Sequence, residues 1–303
     1  MNARAHAEPM PPEAPVTSTR FPARPVSTAW KATGVKVFII SDIEGISGVV
    51  SSQQTNAGNA LYNEARKLYT EEINAAVRGA KAGGATEIVV MDCHGAGEGL
   101  DFNSLIAEDL DPDCEFVVQQ DWTEYTGFLE SSVDAALFVG MHAMAGTPDG
   151  VMNHTVSGRD YHNLWFNGTR VGETGINAAL CGTWGCPVLM VTGDAAACRE
   201  GKGLLGDGLT TVAVKEGIFI LSARMLQPKR ARELIEAGAK QALSNLKAVA
   251  PYDPGRPCEI KVEFKWTGPV SKLRYRQGVE IVDPRTIVSR GDDWWTAWRQ
   301  FFF

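Results

Sequence analysis

The sequence predicts an α/β fold: a doubly wound, mainly parallel sheet with helices on both faces, and a smaller C-terminal α+β lobe. Short apolar runs typical of strands alternate with segments of helical periodicity, which is the order expected for parallel sheets. Three of these runs, over residues 35–40, 86–91 and 135–140, end beside carboxylate or imidazole side chains. Ligands bind at the carboxyl edge of strands in open α/β sheets, so these strand ends mark the expected site.

The first predicted helix joins the first two of these strands. Residues 59–83 place apolar side chains at helical spacing, and Gly83-Gly84 ends the pattern. The resulting strand–helix–strand unit should form a right-handed crossover. Residues 115–119 predict a further strand, and residues 122–132 a short helix that precedes the third run.

The pattern changes after residue 154. Residues 155–158 and 164–169 suggest a hairpin, with Asn167-Gly168 as its tight turn. The remaining elements are predicted, in order, as a helix over 173–184, a strand over 187–192, an amphipathic helix over 228–246 and an alternating strand over 258–266.

These elements suggest three regions along the chain. Residues 1–34 are rich in proline and alanine, which predicts a disordered tail. Residues 35–210 would form the α/β metal-binding catalytic domain. Residues 211–303 would form a smaller α+β region that packs on it, and the aromatic-rich end of that region suggests oligomer contacts.

Composition narrows the possible functions. The formal net charge of −7 argues against binding of a nucleic-acid backbone, which needs clustered Lys and Arg. No apolar run approaches the length of about 18 residues that a membrane span needs, so no membrane partner is expected. The six cysteines form no C-x-x-C pair, and the N-terminal segment has no apolar core of a secretory signal, so a cytoplasmic location with reduced thiols is predicted.

Candidate metal ligands follow the three strands directly. Asp42 and Glu44 are two residues apart and share a face of an extended backbone, as do Asp92 and His94, while His142 follows the third strand. Carboxylates mixed with imidazoles, without thiolates, suit Zn²⁺ or Mn²⁺ in a hydrolytic site, and a carboxylate can bridge two such ions. Each piece alone could be a loop contact, a helix cap or a core histidine; their coincidence at neighbouring strand ends favours a metal centre.

Two further residues keep both a structural and a functional interpretation. His154 lies on a glycine-containing segment that could approach the site, but a surface-loop histidine fits the same sequence. Glu173 begins a predicted helix, where an acidic side chain commonly complements the helix dipole.

Other catalytic motifs are excluded. The glycines at 95, 97 and 99 lack the G-x-G-x-x-G spacing of a dinucleotide site, and no P-loop is present. Ser41 is not part of a G-x-S-x-G elbow, so an acyl-enzyme serine mechanism has no support.

Residues 41–48, Ser-Asp-Ile-Glu-Gly-Ile-Ser-Gly, resemble the signature of the zinc-dependent D-aminopeptidases associated with bacterial dipeptide transport. The resemblance continues in order across residues 35–300 and leaves out only the N-terminal extension. The further matching segments are residues 70–74, 92–94, 140–142, 150–154, 171–178 and 187–194.

The resemblance implies a role for each matching side chain. Asp42 corresponds to a metal-bridging aspartate and His154 to the catalytic histidine. The remaining ligands of two zinc ions per subunit would be Glu44, His94, His142 and Glu173. It also implies release of N-terminal D-residues from short peptides, and a homo-oligomer built as a ring-like decamer.

The predicted function is therefore a metal-dependent aminopeptidase with a dinuclear zinc centre. His154 would either transfer protons or stabilise the developing oxyanion; a direct nucleophilic role is chemically less attractive, because an acyl-imidazole would itself need hydrolysis. One alternative is a broader two-metal amidohydrolase acting on non-peptide amides. A hypothesis of another class is a non-catalytic metal-binding or small-molecule-binding protein.

Overall fold

The computed structural model describes residues 34–302, so the predicted disorder of residues 1–34 falls, apart from Gly34, outside the described residues. A seven-stranded sheet organises the described chain in the order β3-β2-β1-β4-β7-β8-β9. Its strands are parallel except for the antiparallel pair β8 and β9. They comprise β1 (Val35–Ser41), β2 (Ala85–Asp92), β3 (Glu115–Val117), β4 (Ala135–Met141), β7 (Val188–Asp194), β8 (Thr210–Phe219) and β9 (Ser222–Met225).

The sheet winds outward in both directions from β1 and β4. Strands β2 and β3 extend it on one side, and β7 and β8 on the other, which confirms the doubly wound α/β prediction. The central pair is thus the topological switch point, where the loops after the strands diverge and leave a crevice. Strand β4 is fully buried along its length, as expected for a strand covered on both faces.

Seven α-helices occur in the described residues: α1 (Ser52–Thr55), α2 (Tyr62–Ala82), α3 (Glu173–Thr183), α4 (Ala195–Leu205), α5 (Pro228–Ala242), α6 (Gly268–Leu273) and α7 (Trp294–Phe302). Helices α2 and α5 pack closely together. A Cβ on Gly79 would lie 2.3 Å from the carbonyl oxygen of Glu236, so glycine permits this approach. No helix of the described chain is both long and apolar enough to cross a membrane.

A second, antiparallel sheet has the order β11-β12-β10-β5-β6. It consists of β5 (Tyr161–Phe166), β6 (Thr169–Arg170), β10 (Cys258–Phe264), β11 (Val279–Asp283) and β12 (Thr286–Gly291). The tight turn at Asn167-Gly168 is present, and both residues have positive φ as its geometry requires. Because β5 and β6 precede residue 210 and β10 follows it, this sheet draws on both predicted regions. The division at residue 210 stays a prediction.

Two local predictions are wrong. Residues 155–158 form no strand, and the hairpin consists of β5 and β6 alone. Residues 122–132 form no α-helix, only a short 3₁₀ turn over Leu129–Ser131. There the Gln119 side chain accepts a hydrogen bond from the Thr123 backbone N–H, at 2.9 Å, so a side chain satisfies the backbone in place of a helical turn.

Candidate metal centre

The loop after β1 is held against the end of β4 by backbone hydrogen bonds. The Asp42 N–H donates to Val139 O at 2.9 Å, and the Gly45 N–H donates to Gly140 O at 2.8 Å. A Cβ on Gly45 would lie 2.2 Å from Met141 O, and Gly140 has φ of +77°. Glycine is therefore needed where these two backbones meet. This contact fixes Asp42 beside the side chain that follows β4.

One group of donors is formed by Asp42, Glu44 and His94. The Nδ1 atom of His94 lies 2.9 Å from Glu44 Oε2 and 3.4 Å from Asp42 Oδ1. All three side chains are buried. Their ligand atoms lie within 4.8 Å of one another, close enough to share one metal ion.

A second group is formed by His142, His154 and Glu173. The Nε2 atom of His142 lies 3.3 Å from Glu173 Oε1, and that of His154 lies 3.8 Å from the same oxygen. The two imidazole rings stack with their centroids 4.0 Å apart. Their ligand atoms also lie within 4.8 Å of one another.

Asp42 connects the two groups. Its Oδ1 faces His94, and its Oδ2 lies 3.2 Å from His142 Nε2. One carboxylate thus presents one oxygen to each group, which is the arrangement of a bridging ligand between two neighbouring ions.

Backbone carbonyls orient the three imidazoles. A carbonyl only accepts hydrogen bonds, so the ring nitrogen facing it carries the proton. His94 donates through Nε2 to Thr55 O at 2.8 Å, which leaves Nδ1 towards Glu44. His142 and His154 donate through Nδ1 to Ala143 O and Met152 O, each at 2.9 Å. In all three rings the nitrogen directed at the carboxylates is the one left free to bind a metal in the neutral form.

The buried carboxylates of the cluster favour positive charge beside them, as the pKa shifts of its side chains indicate. Burial lowers the pKa of His94, but the Glu44 and Asp42 carboxylates outweigh it and hold that pKa well above its usual value. Burial also lowers the pKa of His142, but the Glu173 and Asp42 carboxylates outweigh it and hold that pKa well above its usual value. Burial raises the pKa of Asp42, yet the two imidazoles hold it well below its usual value. The buried carboxylates therefore stabilise cations among them.

The donor set fits divalent metal ions. Carboxylate oxygens and imidazole nitrogens are the ligands zinc takes in hydrolytic sites. Among the described residues, Glu44 Oε2 and His142 Nε2 are buried without a hydrogen-bond partner, although each lies close to another possible metal-ligand atom of the cluster. Buried polar atoms without partners are uncommon, and a coordinated ion would satisfy both.

Asp92, which sequence spacing paired with His94, has a different task. Its Oδ1 accepts hydrogen bonds from the His94 backbone N–H at 3.0 Å and from the Tyr69 hydroxyl at 2.9 Å. Its Oδ2 accepts from the Ser104 backbone N–H. Asp92 thus holds the His94 segment and lies in neither donor group.

Two buried charged residues support the loop after β1, and sequence reasoning missed their role. Lys215 on β8 donates to the carbonyls of Glu44, Ile46 (3.2 Å) and Val49 (2.7 Å). Glu72 on α2 accepts from the Ser47 N–H at 2.9 Å, and burial raises its pKa to about 8. Alternation gave no signal for Lys215: it is buried directly after buried Val214, where the pairing of β8 with β7 shifts register, so it breaks the alternating pattern of the strand.

Asp194 supports the segment that carries His154, a role the sequence reasoning also missed. It lies at the end of β7, and its Oδ2 accepts a hydrogen bond from the Val151 N–H at 2.7 Å. Its Oδ1 caps α4 by accepting from Ala196 N at 3.2 Å. The only sequence signal was its position at the carboxyl end of a strand.

A cavity of 630 Å³ opens onto the centre. Asp42, Glu44, His94, His154 and Glu173 line it, together with Met152 and the tip of the β8–β9 hairpin at residues 220–221. It is large enough for a short peptide or similar small molecule. The six residues expected from the sequence thus lie together; Glu173 turns towards His142, and His154 is partly buried. The assignment of metal ligands and of a catalytic histidine remains a proposal.

Comparison with known proteins identifies relatives of this chain. The sequence profile of the family described as D-aminopeptidase matches residues 35–303. A D-aminopeptidase of Bacillus subtilis (strain 168) is 33% identical over 256 residues, which is 84% of this chain and 90% of that protein. A solved structure, described as the zinc-dependent D-aminopeptidase DppA from Bacillus subtilis, a self-compartmentalizing protease, superposes with a TM-score of 0.81 at 31% identity. The aligned region covers 88% of this chain and 96% of the chain in that structure.

Proposed function

This chain belongs to the D-aminopeptidase family, and from that premise we propose that it releases N-terminal D-residues from short peptides using two zinc ions held by Asp42, Glu44, His94, His142 and Glu173. Its class is therefore a metal-dependent peptidase. The family membership favours an enzyme over the non-catalytic binding protein considered from the sequence.

The placement of the Asp42 carboxylate carries the proposal of two ions. Each of its oxygens faces a different histidine, and each histidine has a second carboxylate beside it: Glu44 next to His94, and Glu173 next to His142. A single ion would leave one histidine–carboxylate pair unused.

Zinc bound here would polarise the scissile carbonyl and lower the pKa of a water molecule, so that hydrolysis can proceed near neutral pH. The protein's own contribution is to bury the carboxylates, to fix the imidazoles through backbone carbonyls and to exclude most bulk water from the cluster. These fixed groups do not need to reorganise during the reaction.

His154 is the proposed catalytic residue. Its Nδ1 is fixed by Met152 O, so Nε2 faces the cavity beside Glu173, and the ring retains 22% side-chain exposure. In that position it can move a proton between the attacking water and the departing amine, or donate a hydrogen bond to the developing oxyanion. His142, the neighbouring proposed zinc ligand, is buried beneath the His154 ring and is not available for this task.

We also propose that copies of this chain assemble, because the solved relative is described as self-compartmentalizing. A ring-like decamer is the expected form. The β8–β9 hairpin supports this: Ile218, Phe219 and Leu221 are exposed apolar side chains, and Leu221 also lines the cavity at the metal centre. Exposed apolar clusters of this kind mark contact surfaces.

The six cysteines carry free thiols, which supports a cytoplasmic location.

Metal analysis combined with peptide hydrolysis tests the function. The wild-type protein should contain two zinc ions per chain and hydrolyse D-Ala-D-Ala faster than L-Ala-L-Ala. Asp42→Ala should lose zinc and lower kcat/KM by more than about a hundredfold, since even outer-shell changes at metal sites cost 10- to 100-fold. Asp207→Ala, at a fully exposed side chain, is the matched control.

Three outcomes would contradict the proposal. One zinc ion per chain in a fully active enzyme would remove the bridging role of Asp42. Preference for the L,L-dipeptide would reverse the proposed stereochemistry. Faster hydrolysis of simple D-aminoacyl amides than of any peptide would favour the broader amidohydrolase.

A further inference from the structure

A second, smaller cavity adjoins the metal centre. It has a volume of 150 Å³, and four of its lining residues also line the larger cavity: Cys93, Gly95, Val156 and Glu173. The two cavities therefore adjoin, and a side chain next to a carbonyl at the metal centre is the part of a ligand that lies nearest the second cavity. Glu173, a proposed metal ligand, forms part of this shared boundary.

Four aromatic side chains form the outer wall of this cavity, called here the aromatic pocket: Phe102, Trp122, Trp298 and Phe302. They come from separate parts of the chain, namely the loop after β2, the segment after β3, and α7. Folding thus collects aromatic surface at one point beside the metal centre.

Contacts between these side chains hold the wall in place. The rings of Phe102 and Trp122 lie 5.1 Å apart, and those of Trp298 and Phe302 stack at 4.3 Å. Trp298 is only 2% exposed, and its Nε1 donates to Glu124 Oε1 at 2.9 Å, which ties α7 to the segment that carries Trp122. The indole N–H of Trp298 is thereby satisfied, and the ring can present apolar surface to the pocket.

The size and chemistry of the pocket select its occupant. An engineered apolar cavity of about 150 Å³ in another protein binds benzene, so a phenyl ring or a branched aliphatic side chain suits this volume. A methyl group would leave most of the aromatic surface without contact. A polar side chain would lose its hydration against mostly apolar walls, where Glu173, Asn177 and the Trp122 indole N–H are the polar groups beside it.

We propose that the aromatic pocket is a specificity subsite for an apolar side chain next to the scissile bond, and that the enzyme prefers leucine- or phenylalanine-sized residues to alanine at one of the two flanking positions. This inference rests on the proposed function, since it assumes that a peptide carbonyl binds at the metal centre. Either the N-terminal residue or the residue after it would supply the side chain.

Hydrolysis of five dipeptides by the zinc-loaded enzyme tests the subsite. The substrates are D-Ala-D-Ala, D-Leu-D-Ala, D-Phe-D-Ala, D-Ala-D-Leu and D-Ala-D-Phe. At one of the two positions, the apolar residue should raise kcat/KM at least about tenfold over the value for D-Ala-D-Ala. Tenfold is the lower end of the discrimination that one methylene group gives in a hydrophobic pocket. The position that responds identifies which side chain enters the pocket.

Variants connect that preference to the pocket. Trp122→Ala and Phe102→Ala should each lower the ratio of kcat/KM for the preferred apolar peptide to that for D-Ala-D-Ala by about tenfold. Tyr275→Ala removes an aromatic side chain that is 93% exposed and lies outside both cavities, and should leave the ratio unchanged. If an alanine variant fails to fold, Phe102→Leu should still lower the ratio for the phenylalanine peptide, because it removes ring contact while keeping the site apolar.

The possible failures are distinguishable. Hydrolysis of D-Ala-D-Ala without a preference for any apolar peptide would overturn the subsite and leave the proposed function intact. An unchanged ratio in folded Trp122→Ala and Phe102→Ala proteins would also overturn it. Hydrolysis of none of the five peptides by the zinc-loaded enzyme would overturn the proposed function and this inference together.

Discussion

At the scale of single residues, Asp42 determines how the centre is organised. Its two oxygens face His94 and His142, which lie on loops separated by nearly fifty residues of chain. Hydrogen bonds to β4 fix the neighbouring backbone, and the Ile43 N–H donates to Asp42 Oδ1 at 2.8 Å, which holds the carboxylate in its orientation. Glu44 and Glu173 then complete one half of the centre each.

His154 is expected to act in catalysis more than in metal retention. We predict that His154→Ala lowers kcat by 10²- to 10⁴-fold, the usual contribution of a positioned acid–base group. Zinc content should stay near two per chain, because His142 and Glu173 remain. The measurements are steady-state kinetics and elemental analysis, with exposed His162→Ala as the control. Loss of one zinc ion in His154→Ala would instead place this histidine among the ligands.

Lys215 is expected to act through the loop it supports. Its ammonium group donates to three carbonyls of the segment that carries Asp42 and Glu44. Lys215→Met removes these donors and leaves buried carbonyls unpaired, so zinc should bind about 10- to 100-fold more weakly, as for other second-layer changes at metal sites.

Competition with a chelator of known affinity measures this change. Lys202→Met, which removes an exposed lysine on α4, is the matched control and should retain wild-type zinc affinity. Equal zinc affinity in wild-type and Lys215→Met proteins would show that the loop keeps its conformation without the ammonium group.

At the scale of elements, the carboxyl ends of β1, β2 and β4 deliver four of the proposed ligands, the start of α3 delivers Glu173, and α7 forms part of the aromatic pocket. Helix α7 packs on β12 and β10 of the second sheet. Its first turn is capped by Asp293, whose carboxylate accepts a hydrogen bond from the Thr296 N–H at 2.8 Å. The second sheet thus influences the active site through the helix that it supports.

We predict that Asp293→Ala lowers the free energy of unfolding by about 1 kcal/mol at pH 7, the usual loss on removing a helix cap. The hydrogen bonds from Thr296 hold the pKa of Asp293 below its usual value. The stabilisation is therefore present above the unfolded-state pKa of about 3.9 and is lost as pH falls through the lower folded-state pKa.

Urea unfolding between pH 7 and about pH 3 checks both parts of this prediction. The difference between wild-type and variant proteins should shrink towards the acidic end, as the Asp293 carboxylate begins to be protonated. Asp292→Ala, at the exposed neighbouring carboxylate, should have little effect at any pH. A difference that is constant with pH would show that ionised Asp293 is not the cap.

Local sequence patterns predicted the central strands and helices α2, α3 and α5, but they missed α4 and β8 and placed a helix over residues 122–132 that does not form. Helix α2 and strands β1, β2, β4 and β7 follow their hydrophobic periodicity, because one face or both faces of each are buried. Residues 122–132 also contain apolar side chains, but Thr123 bonds to Gln119 and the helix does not form. Hydrophobic periodicity does not show whether a neighbouring side chain will take the backbone hydrogen bonds that a helix needs.

At the scale of the whole molecule, the exposed β8–β9 hairpin suggests how copies meet. We predict that Phe219→Asp reduces the mass of the assembly in solution, because a carboxylate buried without a partner in an apolar contact costs several kcal/mol. Phe219 is 67% exposed in the single chain and belongs to a cluster of apolar neighbours.

Light scattering after size-exclusion chromatography measures the mass. Tyr275→Asp introduces the same charge at a more exposed aromatic residue and should leave the assembly unchanged. A wild-type mass corresponding to one chain would contradict the proposed assembly. An intact oligomer in Phe219→Asp would instead move the interface away from the hairpin.

The sequence by itself determined the α/β class, the strands whose ends carry carboxylates and imidazoles, and the chemistry of a hydrolytic metal centre. These follow from periodicity and from the rule that ligands gather at the carboxyl edge of parallel strands. Residue spacing alone did not distinguish Asp92, which binds backbone, from Asp42, which links both donor groups; the family resemblance assigned Asp42 as the bridging ligand and gave Asp92 no role.

The tertiary structure gave the physical basis of that distinction, and it alone revealed the support from Lys215 and the aromatic pocket shared by Phe102, Trp122 and α7. The physical reason is that each depends on contacts between residues far apart in the chain. Side-chain direction and loop packing set those contacts, and neither is encoded in local spacing.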